Sequence, residues 1–94
     1  MVVESLAKNV KFFSLGGGNA VSVSRIVAVI TPDSAPAKRL IQESRSKGLL
    51  VDATSGKKTR SIFIMDSDHV VVSALSAETA LLRLEENDDE ANEG

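Results

Sequence analysis

Apolar positions along this chain recur at two spacings, one suited to strands and one to helices. Val10-Lys11-Phe12-Phe13-Ser14-Leu15 predicts a strand, with Val10 and Phe12 on one face. Ala20–Ser24 and Ile26–Ile30 predict two more, rich in β-branched residues. From Ala35 to Lys47 the period changes. Ala37, Leu40, Ile41 and Ser44 stand at i, i+3, i+4 and i+7, the inward face of a helix, with Lys38, Arg39, Arg45 and Lys47 outward. Leu49–Val51 is a short apolar run, and Ser61–Met65 and His69–Ala74 flank a polar turn as a hairpin. Ala77 to about Leu84 predicts a short closing helix with Ala80, Leu81 and Leu84 as its stripe. Residues 1–9 are weakly patterned and predict a flexible or helical lead-in.

Turn residues punctuate these segments. Gly16-Gly17-Gly18-Asn19 predicts a tight turn or bulge, since such residues accept positive φ. Ser34 or Asp33 caps the main helix, Pro36 is tolerated in its first turn, and Gly48 suits its end. Ser76 caps the last helix, with Thr79 in the third position. Asp52 to Gly56 is a turn cluster, and Lys57, Lys58 and Arg60 follow at once. A hairpin over residues 49–65 would therefore present a basic tip. The expected fold is α+β: a small twisted antiparallel sheet with one main helix and a short C-terminal helix.

Composition narrows the function. The chain has 94 residues, enough for one domain. Three Phe and no Trp or Tyr argue against stacking of bases on aromatic platforms. The absence of Cys excludes disulfides and thiolate metal sites. The start, Met-Val-Val-Glu-Ser, lacks the basic and apolar regions of a signal peptide, and no apolar run reaches the length of a membrane span. A cytoplasmic protein without a membrane partner is expected.

Charge is divided along the chain. Residues 1–84 carry all eleven Lys and Arg against seven acids; residues 85–94 carry six acids and no base. A basic body with an acidic tail points to a polyanion partner. Residues 85–94 lack apolar anchors and are expected to be disordered, serving solubility or competing for the basic surface.

Candidate chemistry is sparse. Arg25 stands in the middle of a β run, so it pairs with an acid at the core edge or turns outward to meet phosphate or base. Asp66, Asp68 and His69 match neither a calcium loop nor a zinc helix, and a satisfied turn is the simpler account. The glycines at 16 and 18 would need a third at position 21, which is Val21, to form a dinucleotide fingerprint. Gly56-Lys57-Lys58-Thr59 is similar to a P-loop ending, but the glycine needed five residues earlier is Val51. No nucleophile–base set stands out. No enzyme, cofactor, metal or small-molecule substrate is expected.

Several motifs recur in a known order: Ser34-Ala35-Pro36-Ala37-Lys38-Arg39, Asp52-Ala53-Thr54, Thr59-Arg60 and Met65-Asp66-Ser67-Asp68-His69-Val70. With Gly18-Asn19 and Arg25, they make residues 10–84 resemble the RemA family of bacterial extracellular-matrix regulatory proteins. The resemblance implies a DNA-binding transcriptional regulator of the biofilm-matrix gene type, associated with the nucleoid. It implies a LytTR-like α+β fold assembled into a ring-like homo-oligomer of about seven or eight subunits. It also implies contacts to double-stranded DNA from Arg25, Lys57, Lys58 and Arg60. The family commonly carries an arginine pair where this chain has Lys57-Lys58. Lysine keeps the attraction to phosphate but lacks the bidentate fork that reads guanine.

Assembly also has a physical motive. A small domain with several strands leaves edges that must be paired or covered, and closed oligomers do this. A ring repeats a few cations around its rim, so avidity supplies what one protomer cannot. The alternative expectation is a non-enzymatic ring scaffold or nucleoid-type architectural protein that binds an acidic protein or RNA.

Overall fold

The computed structural model describes residues 11–93; the expected lead-in, residues 1–9, lies outside the described residues. Strand β1 (Phe12–Gly16) turns back at Gly17-Gly18 into β2 (Asn19–Ser22), an antiparallel pair whose register shifts between Ser14 and Gly16. A 3-10 turn, Val23–Arg25, leads into β3 (Ile26–Ile30). Helix α1 (Ala35–Ser46) precedes β4 (Leu50–Ala53), then β5 (Ser61–Met65), β6 (Val70–Ser73) and helix α2 (Ala77–Glu93).

Both caps of α1 come from the residues expected to supply them. Ser34 Oγ accepts the Ala37 amide at 3.1 Å. At the other end Gly48 has φ +74°. Its amide donates to Arg45 O at 3.2 Å while the Leu49 amide donates to Ser44 O at 2.8 Å. This crossed pair of bonds satisfies helix-end carbonyls and needs a left-handed residue between them. It also delivers the chain straight into β4.

The main sheet has the order β3-β5-β6-β4. β5 runs antiparallel to β3 and to β6, whereas β4 runs parallel to β6. The fold is α+β as expected, but two features of the sheet differ. It is mixed rather than wholly antiparallel. And β4 does not form a hairpin with β5, because β6 lies between them. The short turn Asp66–His69 lets β5 and β6 pair at little loop-closure cost, while Thr54–Arg60 is long enough to cross the end of β6.

Each face of the sheet buries its own cluster. Ile62, Val70 and Val72 meet Ala37 of α1, with Ile30, Leu40, Ile41 and Leu50 around them. On the opposite face Phe63 and Val71 pack with Phe13, Leu15 and Val21 of the first hairpin, Ala53 of β4 and Ala80 of α2. The Phe13 and Phe63 rings stand 6.0 Å apart and tilted by 45°.

Ser76 caps α2 as predicted: its Oγ accepts the Thr79 amide at 3.2 Å and donates to Thr79 Oγ1 at 2.8 Å. Two details of α2 differ from the pattern. Leu81 is half exposed, and Ala77, Ala80 and Leu84 face the sheet instead. The helix also continues to Glu93 through residues expected to be disordered. Glu and Ala in this stretch carry good helix propensity, whereas its Asn and Asp do not. The acids there oppose the helix dipole, which weakens that end.

Ser61 opens β5 fully buried, and its hydroxyl has no partner among the described residues. A buried orphan hydroxyl costs about 1–3 kcal/mol. Ser61→Ala is therefore expected to leave thermal stability unchanged or raise it by up to about 1 kcal/mol. A clear fall in the melting temperature would show that the hydroxyl has a partner after all.

Candidate nucleic-acid interface

Thr54–Arg60 carries three of the four cations singled out in the sequence, and its shape is set at both ends. At its start Asp52 Oδ1 accepts the Thr54 hydroxyl at 2.6 Å and the Thr54 amide at 2.9 Å. The Lys57 amide donates to Thr54 O at 3.0 Å, closing a turn over Ser55 and Gly56, whose φ values are +55° and +82°. At its end the Arg60 amide donates to Ser73 O at 2.7 Å, which extends the β5–β6 pairing by one bond. Lys57, Lys58 and Arg60 project exposed from this frame.

The glycine turn braces the loop from the side. Gly17 has φ +62°, and a Cβ there would overlap the Ser55 hydroxyl. Asn19 Nδ2 adds a long bond of 3.5 Å to Ala53 O. Sequence reasoning found both turns but not their contact, since residues 17 and 55 are far apart in the chain. Positive φ at all three glycines accounts for the run, and only Gly17 is crowded, so no signal in the sequence marks the contact.

The Thr54 hydroxyl, and after it the Thr54 amide, hold the Asp52 carboxyl below its ordinary value of 3.8, with a smaller pull from Arg45. A carboxyl lowered on folding stabilises the fold above its unfolded value, and that stability is lost as pH falls through the folded value. Asp52→Asn is thus expected to lower the melting temperature modestly at pH 7. The gap to the wild type should narrow as pH falls below 3.8 and close once pH has passed the lower folded value, where the native carboxyl is protonated too. A gap unchanged at low pH would trace the loss to geometry rather than charge.

Arg25 stands elsewhere. Its carbonyl accepts the Asp66 amide at 2.9 Å, and its Nη1 lies 3.5 Å from Asp66 Oδ2. The side chain is still 66% exposed, so most of its donors remain open to solvent. Arg25 thus pairs with a turn carboxylate, itself half exposed, while its side chain faces outward. Arg60 and Asp66 bracket β5, a span of roughly 20 Å at about 3.3 Å per residue. The structure brings Lys57, Lys58 and Arg60 together and sets Arg25 at the far end of the same strand. The basic tip and Arg25 make two separate patches.

Two hollows flank the loop. One, of about 450 Å³, lies between Lys57, Lys58 and Arg60 and an apolar floor of Leu15, Ala74 and Leu75. The other, of about 390 Å³, sets Lys58 and Arg60 beside Asp33 and Glu78. Among the described residues, the ion pair of Arg25 with Asp66 is the only one, so the loop cations hold no acid at contact distance.

In the turn at the other end, Ser67 Oγ and His69 Nδ1 share a hydrogen bond of 2.8 Å. Among the described residues no group of acids and histidines is arranged to hold a metal, and no helix is long and apolar enough to cross a membrane.

The family model of RemA-like proteins, described as extracellular matrix regulatory protein A-like, matches residues 12–84. The chain belongs to the RemA-like family. The match spans β1 to the middle of α2 and includes Arg25, Lys57, Lys58 and Arg60. A relative from a Geobacillus species is 52% identical over 85 residues, covering 90% of this chain and 98% of its own. A Clostridium acetobutylicum relative is 50% identical over 84 residues, covering 89% and 91%. A third, from Carboxydothermus hydrogenoformans, is 52% identical over 83 residues, covering 86% and 95%. All three are named as candidate regulatory proteins, not as enzymes.

Proposed function

We propose that this RemA-like protein is a non-enzymatic, DNA-binding transcriptional regulator, acting in the cytoplasm on the nucleoid as a ring-like homo-oligomer. The observation that carries this reading is the loop of Lys57, Lys58 and Arg60, fixed in shape at both ends and by Gly17, with no acid at contact distance among the described residues. A loop backbone already fixed lowers the entropy lost when its cations meet phosphate, and phosphate contacts dominate affinity for duplex DNA. Arg25 offers a second contact roughly 20 Å away. Regulation is the role named for the relatives, and the family description adds the extracellular matrix as what is regulated; control of matrix genes is part of the proposal. The LytTR-like character of the fold belongs to the same proposal.

Exposed apolar strand residues support assembly. Phe12 on β1, Val27 on β3 and Val51 on β4 are all exposed, and β3 and β4 are the outer strands of the main sheet. Unpaired strand edges carrying apolar side chains are what a closed oligomer covers.

The test is fluorescence anisotropy of a labelled duplex at several salt concentrations, with light scattering of the same samples. The proposal expects a ring whose binding weakens with salt at a slope near −0.9 per phosphate contact, on the order of several contacts per ring. Removal of residues 85–94 is expected to tighten binding if the acidic segment competes for the basic surface. No binding at low salt by either form would sink the DNA reading and favour a scaffold for an acidic protein or RNA.

A further inference from the structure

We propose that the hollow between Leu15, Ala74 and Leu75 and the cations Lys57, Lys58 and Arg60 binds a small phosphorylated organic anion of nucleoside-monophosphate size, in competition with duplex DNA. Its volume of about 450 Å³ falls within the range of small-molecule sites, roughly 300–1,000 Å³. Its lining divides into two halves of different chemistry. Three cations stand on one side. Buried Leu15 and half-buried Ala74 and Leu75 form the other. No carboxylate lines it among the described residues, in contrast to the neighbouring hollow with Asp33 and Glu78.

This division selects a ligand. Inorganic phosphate would meet the cations and leave the floor wet. An uncharged apolar molecule would leave the cations unused. A phosphate carried on a partly apolar body meets both halves: its oxygens take the Arg60 fork and the two lysine ammonium groups, and its body covers Ala74 and Leu75. No aromatic residue lines the hollow, so the body is held by contact area rather than by stacking.

The loop backbone is already in place. The Lys57 amide is tied to Thr54 O and the Arg60 amide to Ser73 O, and Gly17 packs against the loop. A fixed backbone spares the ligand part of the cost of ordering the site. The expected lack of a small-molecule substrate concerns turnover; this ligand is bound and released unchanged. Competition with DNA rests on the function proposed above, because both use the same cations. Ligand binding itself does not.

The test uses the full chain, labelled with ¹⁵N, titrated with adenosine 5′-monophosphate, inorganic phosphate and adenosine in separate arms. The monophosphate is expected to shift the amide signals of Leu15, Ala74 and Leu75 saturably. Phosphate should bind at least about tenfold more weakly and adenosine should produce no saturable shift. Ala74→Leu fills the floor and should weaken the monophosphate at least about tenfold, while low-salt duplex binding changes less than about twofold. Lys57→Ala/Lys58→Ala tests the other half without touching the floor and should weaken it similarly. Equal binding of monophosphate and phosphate would reduce the hollow to a basic surface that attracts any anion, and shifts confined to other residues would place the ligand elsewhere; either overturns the site. Duplex that stays bound when the monophosphate saturates overturns the competition. Failure of the wild type to bind duplex at all sinks the proposed function and leaves the ligand result standing.

Discussion

Replacing Lys57 and Lys58 together by alanine is expected to weaken duplex binding on the order of 10- to 100-fold at moderate salt, and to flatten its salt dependence. Each lost phosphate contact removes about 0.9 from the slope of log affinity against log salt, so each engaged protomer should give up about 1.8. A ring multiplies this loss, because every subunit on the duplex carries the change. Arg25→Ala should act separately. Arg25 and the loop lie at opposite ends of β5, roughly 20 Å apart, and sites that far apart contribute additively. The triple variant should therefore lose the sum of the two effects in log affinity. Anisotropy across a salt series measures both quantities, and light scattering checks that the oligomer survives. An intact oligomer with unchanged affinity and slope would remove the loop from the interface.

Gly17→Ala is expected to be the most damaging alanine exchange among the three glycines of the first turn. A side chain at φ +62° costs about 1–2 kcal/mol for the backbone alone. The new methyl also overlaps the Ser55 hydroxyl, so either the turn or the cationic loop must move. A total of about 2–3 kcal/mol would lower the melting temperature by roughly 10–20 °C in a domain of this size. The same displacement should weaken DNA binding at temperatures where the chain is still folded. Ser55→Gly separates the two causes. It removes the overlapped hydroxyl and relieves the positive φ of Ser55 itself. The double variant should recover the part due to overlap and keep the part due to φ. If Ser55→Gly restores neither stability nor binding, the brace between the two turns is not what holds the loop.

Locally encoded features were legible in the sequence. The Ser34 and Ser76 caps, the Gly48 stop, the Gly17-Gly18 turn and the β5–β6 hairpin depend on residues within a few positions of one another. The order of the RemA-like motifs was enough to indicate the family that the comparison shows. What escaped depends on distant partners. The parallel pairing of Leu50–Ala53 with Val70–Ser73 has no local mark, because a short apolar run suits either direction. Leu81 fits the period of an inward stripe, but the sheet meets α2 along Ala77, Ala80 and Leu84. The site was half legible. Three neighbouring cations announce themselves, whereas their floor comes from Leu15, Ala74 and Leu75, brought in by other elements. The separation of Arg25 from the loop follows only once β3 and β5 are known to run antiparallel.

The parallel pairing of β4 with β6 also sets an order of events during synthesis. Chains emerge from the ribosome N-terminus first. The segment Leu50–Ala53 leaves the tunnel before its partner Val70–Ser73 exists outside it, and its hydrogen bonds must wait. The loop that β4 launches waits with it, since Arg60 is tied to Ser73 O. A nascent chain that stops short of residue 73 lacks the strand that pairs with β4, so its lysines hang from an unanchored strand. The basic surface takes its final shape only when nearly the whole domain has been made.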